Sequence, residues 1–156
     1  MIRFAGAADV ATLHALVREL ARYERLQHEV VGTEEQLRTH LFGARPYAEA
    51  LVCEDDGVIV GFALFFHTYS TFLGRPGLHL EDLFVLSQHR GKGHGRALIR
   101  EVARIAVDRG CGRCEWSVLD WNEPAIAFYR SLGATVIPEW RICRLTGEAL
   151  ALLGQR

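Results

Sequence analysis

The chain has 156 residues, 49% of them hydrophobic and 24% charged, with a formal net charge of −1. That length and apolar content fit one compact domain over residues 1–156, and a near-neutral balance without blocks of like charge argues against a nucleic-acid groove or an anionic membrane surface and for a small-molecule partner. The opening Met1-Ile2-Arg3-Phe4 lacks the pattern of a secretory leader, and the longest apolar run, Val58 to Phe66, is far shorter than the roughly 20 residues a bilayer needs, so the cytoplasm is the expected compartment.

Ile2 to Ala5 reads as a short strand, followed from near Asp9 by a helix in which Val10, Leu13, Val17 and Leu20 recur at three- and four-residue spacing and which ends near Tyr23 and Glu24. Thr33-Glu34-Glu35-Gln36 has the form of a capping box, predicting a second, short helix to Phe42. Residues 50–54 and 58–67 read as strands joined at Asp55-Asp56-Gly57, an Asp-Gly turn of the kind that closes hairpins. Gly74-Arg75-Pro76-Gly77 reads as a turn and Leu78 to Leu86 as the next strand. A helix with Ala97, Leu98, Val102, Ile105 and Ala106 on its apolar face follows, stopped by Gly110. Glu115 to Leu119 predicts a strand. Asn122 caps a further helix that has Pro124 in its first turn and Gly133 after its end, and Trp140 to Leu145 predicts a last strand. This pattern gives an α/β (α+β) domain, a mixed sheet with helices on both faces.

Cys53 and Cys143 sit singly in apolar stretches and read as small core residues. Cys111-Gly112-Arg113-Cys114 has redox or zinc-half-site spacing, but two further ligands are missing and the pair lies between a helix end and a strand. His79, His89 and His94 show no metal-ligand spacing with a partner, so no metal is expected.

Arg90-Gly91-Lys92-Gly93-His94-Gly95 lies between a strand and a helix, where the first unbonded helix amides make an anion site. Gly91, Gly93 and Gly95 allow positive φ and close approach of a diphosphate, while Arg90, Lys92 and Arg96 add charge. The spacing is neither that of a P-loop nor that of a dinucleotide fold, and by itself the loop also reads as a flexible turn.

Leu80-Glu81-Asp82-Leu83-Phe84-Val85 puts two acids inside an apolar strand, on opposite faces if the strand is regular. An unpaired buried carboxylate costs several kcal/mol, so such a pair is solvated, paired with arginines, or functional. The functional reading is general-base chemistry: making an alkyl ammonium nucleophilic at neutral pH costs about 4 kcal/mol, and a carboxylate can take that proton directly or through water. Tyr129, two helical turns after Asn122, could protonate a departing thiolate; a helix tyrosine beside Ile126 and Leu132 also reads as core.

These segments, together with Leu20-Ala21-Arg22-Tyr23-Glu24, Trp121-Asn122-Glu123-Pro124 through Phe128-Tyr129, and Trp140-Arg141, resemble the GNAT superfamily over nearly the whole chain, and specifically its diamine acetyltransferase branch. The resemblance implies the GNAT fold, with a mostly antiparallel central sheet, acetyl-CoA as co-substrate and a homodimer. It implies that Leu83, Phe84 and Val85 bond the pantetheine arm, that Gly91 to Arg96 hold the pyrophosphate with Arg90 beside them, and that Asn122, Glu123, Pro124 and Ala125 touch coenzyme A. Glu81 would be the base and Tyr129 the acid, with Tyr23, Glu24, Glu81, Asp82, Glu115, Trp116 and Ser117 lining the amine site. The implied chemistry is direct transfer, with a backbone amide near Phe84 or Val85 holding the tetrahedral intermediate.

Polyamine-preferring members carry an acid and a tryptophan where this chain has Ser70 and Phe72, while Tyr69-Ser70-Thr71 and Val118-Leu119-Asp120-Trp121-Asn122 look more like the thialysine acetyltransferase branch. The segment between Gly133 and Trp140 is shorter than in polyamine enzymes, so both acceptor classes stay open. The alternatives are an acyl-CoA-binding sensor without acceptor chemistry and an acetyltransferase for protein amino groups.

Overall fold

The computed structural model describes residues 1–155, which form two compact units, Met1–Ser117 and Val118 onward. The first unit carries a five-stranded sheet with spatial order β1-β2-β3-β4-β5, comprising β1 (Ile2–Phe4), β2 (Glu49–Asp55), β3 (Val58–Ser70), β4 (Arg75–Val85) and β5 (Cys114–Glu115). Neighbours from β1 to β4 are antiparallel, and β5 joins β4 in parallel. The helices of this unit are α1 (Val10–Tyr23), α2 (Glu34–Phe42) and α3 (His94–Asp108).

The period-2 alternation of β2 and β3 feeds the two faces of the sheet. Ala50, Val52, Phe62 and Phe84 pack with Leu13 and Leu16 of α1 and Leu41 of α2, while the alternate positions Leu51, Cys53, Ala63 and Phe65 face the side where α3 buries Leu98, Val102 and Ile105. Phe62 and Phe65 are fully buried, and burial of such a side chain contributes about 1.5–3 kcal/mol. The capping box of α2 forms as expected: Thr33 Oγ1 accepts from the Gln36 amide, and Gln36 Oε1 accepts from the Thr33 amide. The β2–β3 turn has positive φ at both central residues, 51° at Asp56 and 78° at Gly57, the geometry that matches strand twist in a two-residue hairpin.

The bounds of two expected segments need correction. The turn between β3 and β4 ends at Gly74, so Arg75, Pro76 and Gly77 belong to β4 and pair with Ser70, Tyr69 and Thr68. Gly77 is there for close packing, since a Cβ would stand 2.8 Å from Thr68 Oγ1 and 3.2 Å from the Arg113 carbonyl oxygen. The strand expected at Glu115–Leu119 is reduced to Cys114–Glu115, because the parallel ladder holds only Leu78 against Cys114 and His79 against Glu115.

The second unit contains α4 (Glu123–Arg130) and α5 (Gly147–Leu153). Residues 140–145, expected as a strand, take no regular form, and Trp140, Ile142, Cys143 and Leu145 are exposed instead of buried. Their apolar alternation supplies a face, but a strand also needs a neighbour whose backbone groups meet its own. Cys143 is therefore not a core residue, and all four cysteines are free. No described helix is long and apolar enough to cross a membrane.

Candidate active site

The two adjacent acids of β4 lie on one face of the sheet, not on opposite faces. Leu64 pairs with Asp82 but the next residue, Phe65, pairs with Leu80, so Glu81 is the extra residue of a β-bulge. Asp82 shares the face of Leu64, and His79 shares that of Phe66, two residues along the same strand. Glu81 Oε2 stands 3.6 Å from His79 Nε2, whose ring stacks on Phe66, which completes the assignment of both carboxylates to the face that carries α1. Among the described residues no arginine forms an ion pair with either acid, so the arginine-pairing alternative does not hold.

Asp82 is half-buried, and its carboxyl is pushed up to about 7, by burial first and then by the neighbouring charges of Glu81 and Glu24. Glu24, at the C-cap of α1, is itself raised by burial. Three carboxylates thus converge where α1 ends, a place that favours a bound cation electrostatically. Beside it Tyr23 receives the Arg90 guanidinium over its ring at 4.5 Å, and Arg90 Nε donates to the Val85 carbonyl at 2.9 Å. Tyr23, Arg90, Phe84 and Leu86 help to line an open cleft of about 440 Å³.

Beyond His79, β4 pairs with β3 on one side and, among the described residues, with no strand on the other. Leu83, Phe84 and Val85 therefore lie on a strand edge that can accept an extended, amide-bearing ligand arm in place of a further strand. The edge runs through the short helical turn Ser87–His89 into the glycine loop, where Gly91 and Gly93 take φ of 79° and 88° and a Cβ at either would meet nothing within 4 Å. Gly93 is the N-cap of α3 and supplies no side-chain cap, so the first amides of the helix at His94, Gly95 and Arg96 are oriented as an anion cradle. These residues fit the diphosphate of coenzyme A. Lys92 departs from the expected arrangement: its ammonium contacts Asp55 Oδ2 at 2.9 Å, which offsets the charge it was expected to offer a phosphate.

Glu115 pairs with Arg113 at 3.0 Å on β5 and neighbours His79 in the parallel ladder, with Trp116 half-buried and Ser117 exposed after it. In the second unit the Asn122 side chain is buried and accepts from the Ala125 amide at 3.3 Å, capping α4, with Glu123 and Pro124 in its first turn. Tyr129 is half-buried near the end of the same helix, its ring 5.4 Å from that of Phe128.

Two residues in this neighbourhood were not anticipated as participants. Asp55 was read as a turn residue, yet its carboxylate is held near pKa 2 by Lys92 first and His89 next. His79 was considered only as a metal ligand, yet it lies against Glu81. The Asp-Asp-Gly signal located the turn around Asp55, but no local spacing could show what lies 34 to 39 residues further on.

Residues 13–134 match the acetyltransferase (GNAT) family. The chain is 38% identical to a thialysine N-epsilon-acetyltransferase of Mus musculus, over 99% of this chain and 97% of that one. It is 37% identical to an L-ornithine N5-acetyltransferase of Arabidopsis thaliana, over 96% and 85%. An integron cassette protein from V. cholerae superposes with a TM-score of 0.83 at 27% identity, covering 100% of this chain and 98% of its own. The chain belongs to the GNAT acetyltransferase family. It is an N-acetyltransferase, and the family implies acetyl-CoA as its co-substrate.

Proposed function

We propose that the chain acetylates a primary amine of a small, diamine-like acceptor by direct transfer from acetyl-CoA, and that a lysine-like amino acid is a better acceptor than a polyamine. The observation that carries this reading is the acid face formed by Glu24, Glu81 and Asp82 at the end of α1, which suits a compact cation. The relatives from mouse and Arabidopsis, named for thialysine and ornithine, support the amino-acid branch. So does Ser70, which is buried and uses its hydroxyl to accept from the Leu73 amide, while Phe72 is fully exposed; neither offers a carboxylate to the far end of a long polycation.

In this reading Glu81 takes the ammonium proton, through a water where the reach requires it, and the freed amine forms a C–N bond to the acetyl carbonyl carbon. A backbone amide near Phe84 or Val85 stabilises the oxyanion, the C–S bond breaks, Tyr129 gives a proton to the sulfur, and the extra proton still carried by the acetylated nitrogen passes, directly or through water, to the tyrosinate left behind. Asp82 and Glu24 hold the cationic acceptor, with Tyr23, Glu115, Trp116 and Ser117 as further lining. The strand edge at Leu83–Val85, the loop from Arg90 to Arg96, and Asn122 to Ala125 bind the coenzyme; the thioester supplies the activated acetyl group.

A homodimer in the cytoplasm completes the proposal. Ile137, Trp140, Ile142 and Leu145 are each exposed, apolar surface of the kind that association covers. The experiment is an amine panel of thialysine, lysine, ornithine, spermidine and short diamines, read by coenzyme A release. Turnover ranked by the α-amino acids supports the reading. Coenzyme A binding without turnover on any amine would overturn it in favour of a sensor.

A further inference from the structure

We propose that Asp55, His89 and His94 form a binding site for a divalent first-row transition ion, zinc or a close neighbour, which ties both ends of the glycine loop to the β2–β3 hairpin. His89 immediately precedes the loop, His94 closes it as the first residue of α3, and Asp55 ends β2. Asp55 Oδ2 lies 3.1 Å from His89 Nδ1 and 3.4 Å from His94 Nε2, and one donor atom from each residue falls within 4.8 Å of the others. Metal–ligand bonds of about 2.0–2.1 Å place neighbouring donors of a tetrahedral ion about 3.3 Å apart, so two edges of such a site are already formed. Two imidazoles and one carboxylate suit zinc, cobalt or nickel better than calcium or magnesium, and leave one or more positions for water.

A second observation is independent of the spacing. His94 Nε2 is buried and makes no hydrogen bond, a costly condition for a ring nitrogen. Its other nitrogen, Nδ1, lies 3.4 Å from Cys53 Sγ. The tautomer that donates Nδ1–H to this sulfur turns the Nε2 lone pair toward Asp55, which is how a ligating histidine is oriented by the groups behind it.

The Lys92 ammonium occupies Asp55 Oδ2 at 2.9 Å and is half-exposed. It is the charge that an ion must displace, and it can swing into solvent when it is displaced. Because the donors sit on both flanks of Arg90–Gly93, the ion restricts the loop that forms the phosphate cradle.

The test is a Co(II) titration of the full chain, followed by Zn(II) competition, in the absence of coenzyme A, whose thiol is itself a metal ligand. The expected result is a visible absorption band saturating at about one equivalent, lost in Asp55→Asn, His89→Ala and His94→Ala. Lys92→Met, an exposed change that leaves the donors in place, is expected to tighten Co(II) by about tenfold by removing the competing ion pair. No band, a band that survives both histidine substitutions, or a Lys92→Met chain that binds no more tightly would each overturn the proposal. The lysine variant decides the matter even where a histidine variant fails to fold.

Discussion

Glu81 and Asp82 are adjacent in the chain yet share one face of the sheet, because the bulge at Glu81 adds one residue to β4 between the pairs Leu64–Asp82 and Phe65–Leu80. A regular strand would bury one of them beneath α3 among Leu98 and Val102. The bulge instead keeps both charges together and leaves the α3 face apolar, so one local irregularity both makes the strand tolerable and builds a bidentate acidic site.

That site titrates in the physiological range. Asp82 holds its proton to about pH 7, and a cationic acceptor binds the ionised form better. The kcat/KM for the amine is expected to rise as pH increases through 7, beyond what deprotonation of the free amine produces. In Asp82→Asn this component disappears and KM for the amine increases about tenfold or more. A pH profile of both chains on the preferred amine checks it; identical profiles would remove Asp82 from acceptor binding.

The same group gives a stability prediction with a definite sign. Asp82 is protonated to about 7 when folded but ionises near 3.8 when unfolded, so its contribution is fully present below about pH 4, declines as pH rises and is lost above 7. Asp82→Asn carries no titration. It is expected to be more stable than the parent near pH 8 by about 2 kcal/mol, less than the full shift implies because the carboxyl keeps some water. The difference should shrink toward pH 4, as measured by urea midpoints at the two pH values.

Gly61 offers a packing test of the strand edge. A Cβ there would stand 2.6 Å from the Phe84 carbonyl oxygen and 3.0 Å from Val85 Cγ2, so β3 and β4 must part beneath the residues assigned to the pantetheine arm. Gly61→Ala is expected to cost about 1–3 kcal/mol of stability and to raise KM for acetyl-CoA more than KM for the amine. Melting curves and paired KM values check it.

Much of this architecture was legible from local pattern. The capping box at Thr33, the Asp-Gly turn at Asp56, the α3 stripe and the Asn122 cap each depend on residues a few positions apart, and each formed where expected. What sequence spacing could not show depends on pairing across the fold. The bulge at Glu81 exists only relative to β3. The ion pairs of Asp55 join residues more than 30 apart. The alternation at 140–145 predicts a face but does not by itself make a strand. Gly77 was misread for a related reason: glycine marks turns, but here the close approach of Thr68 and Arg113 requires it.

Tyr129 carries the last prediction. Its hydroxyl is assigned the proton that the departing sulfur receives, whereas its ring packs beside Phe128 in α4. Tyr129→Phe keeps the ring and removes the hydroxyl. The variant is expected to lose about 10²–10³ in kcat, to keep its melting temperature, and to bind acetyl-CoA with unchanged affinity. Single-turnover kinetics with calorimetry on the same preparation separate these quantities. A variant that loses coenzyme affinity while turning over normally at saturation would make Tyr129 a binding residue, and the proton would have to come from elsewhere.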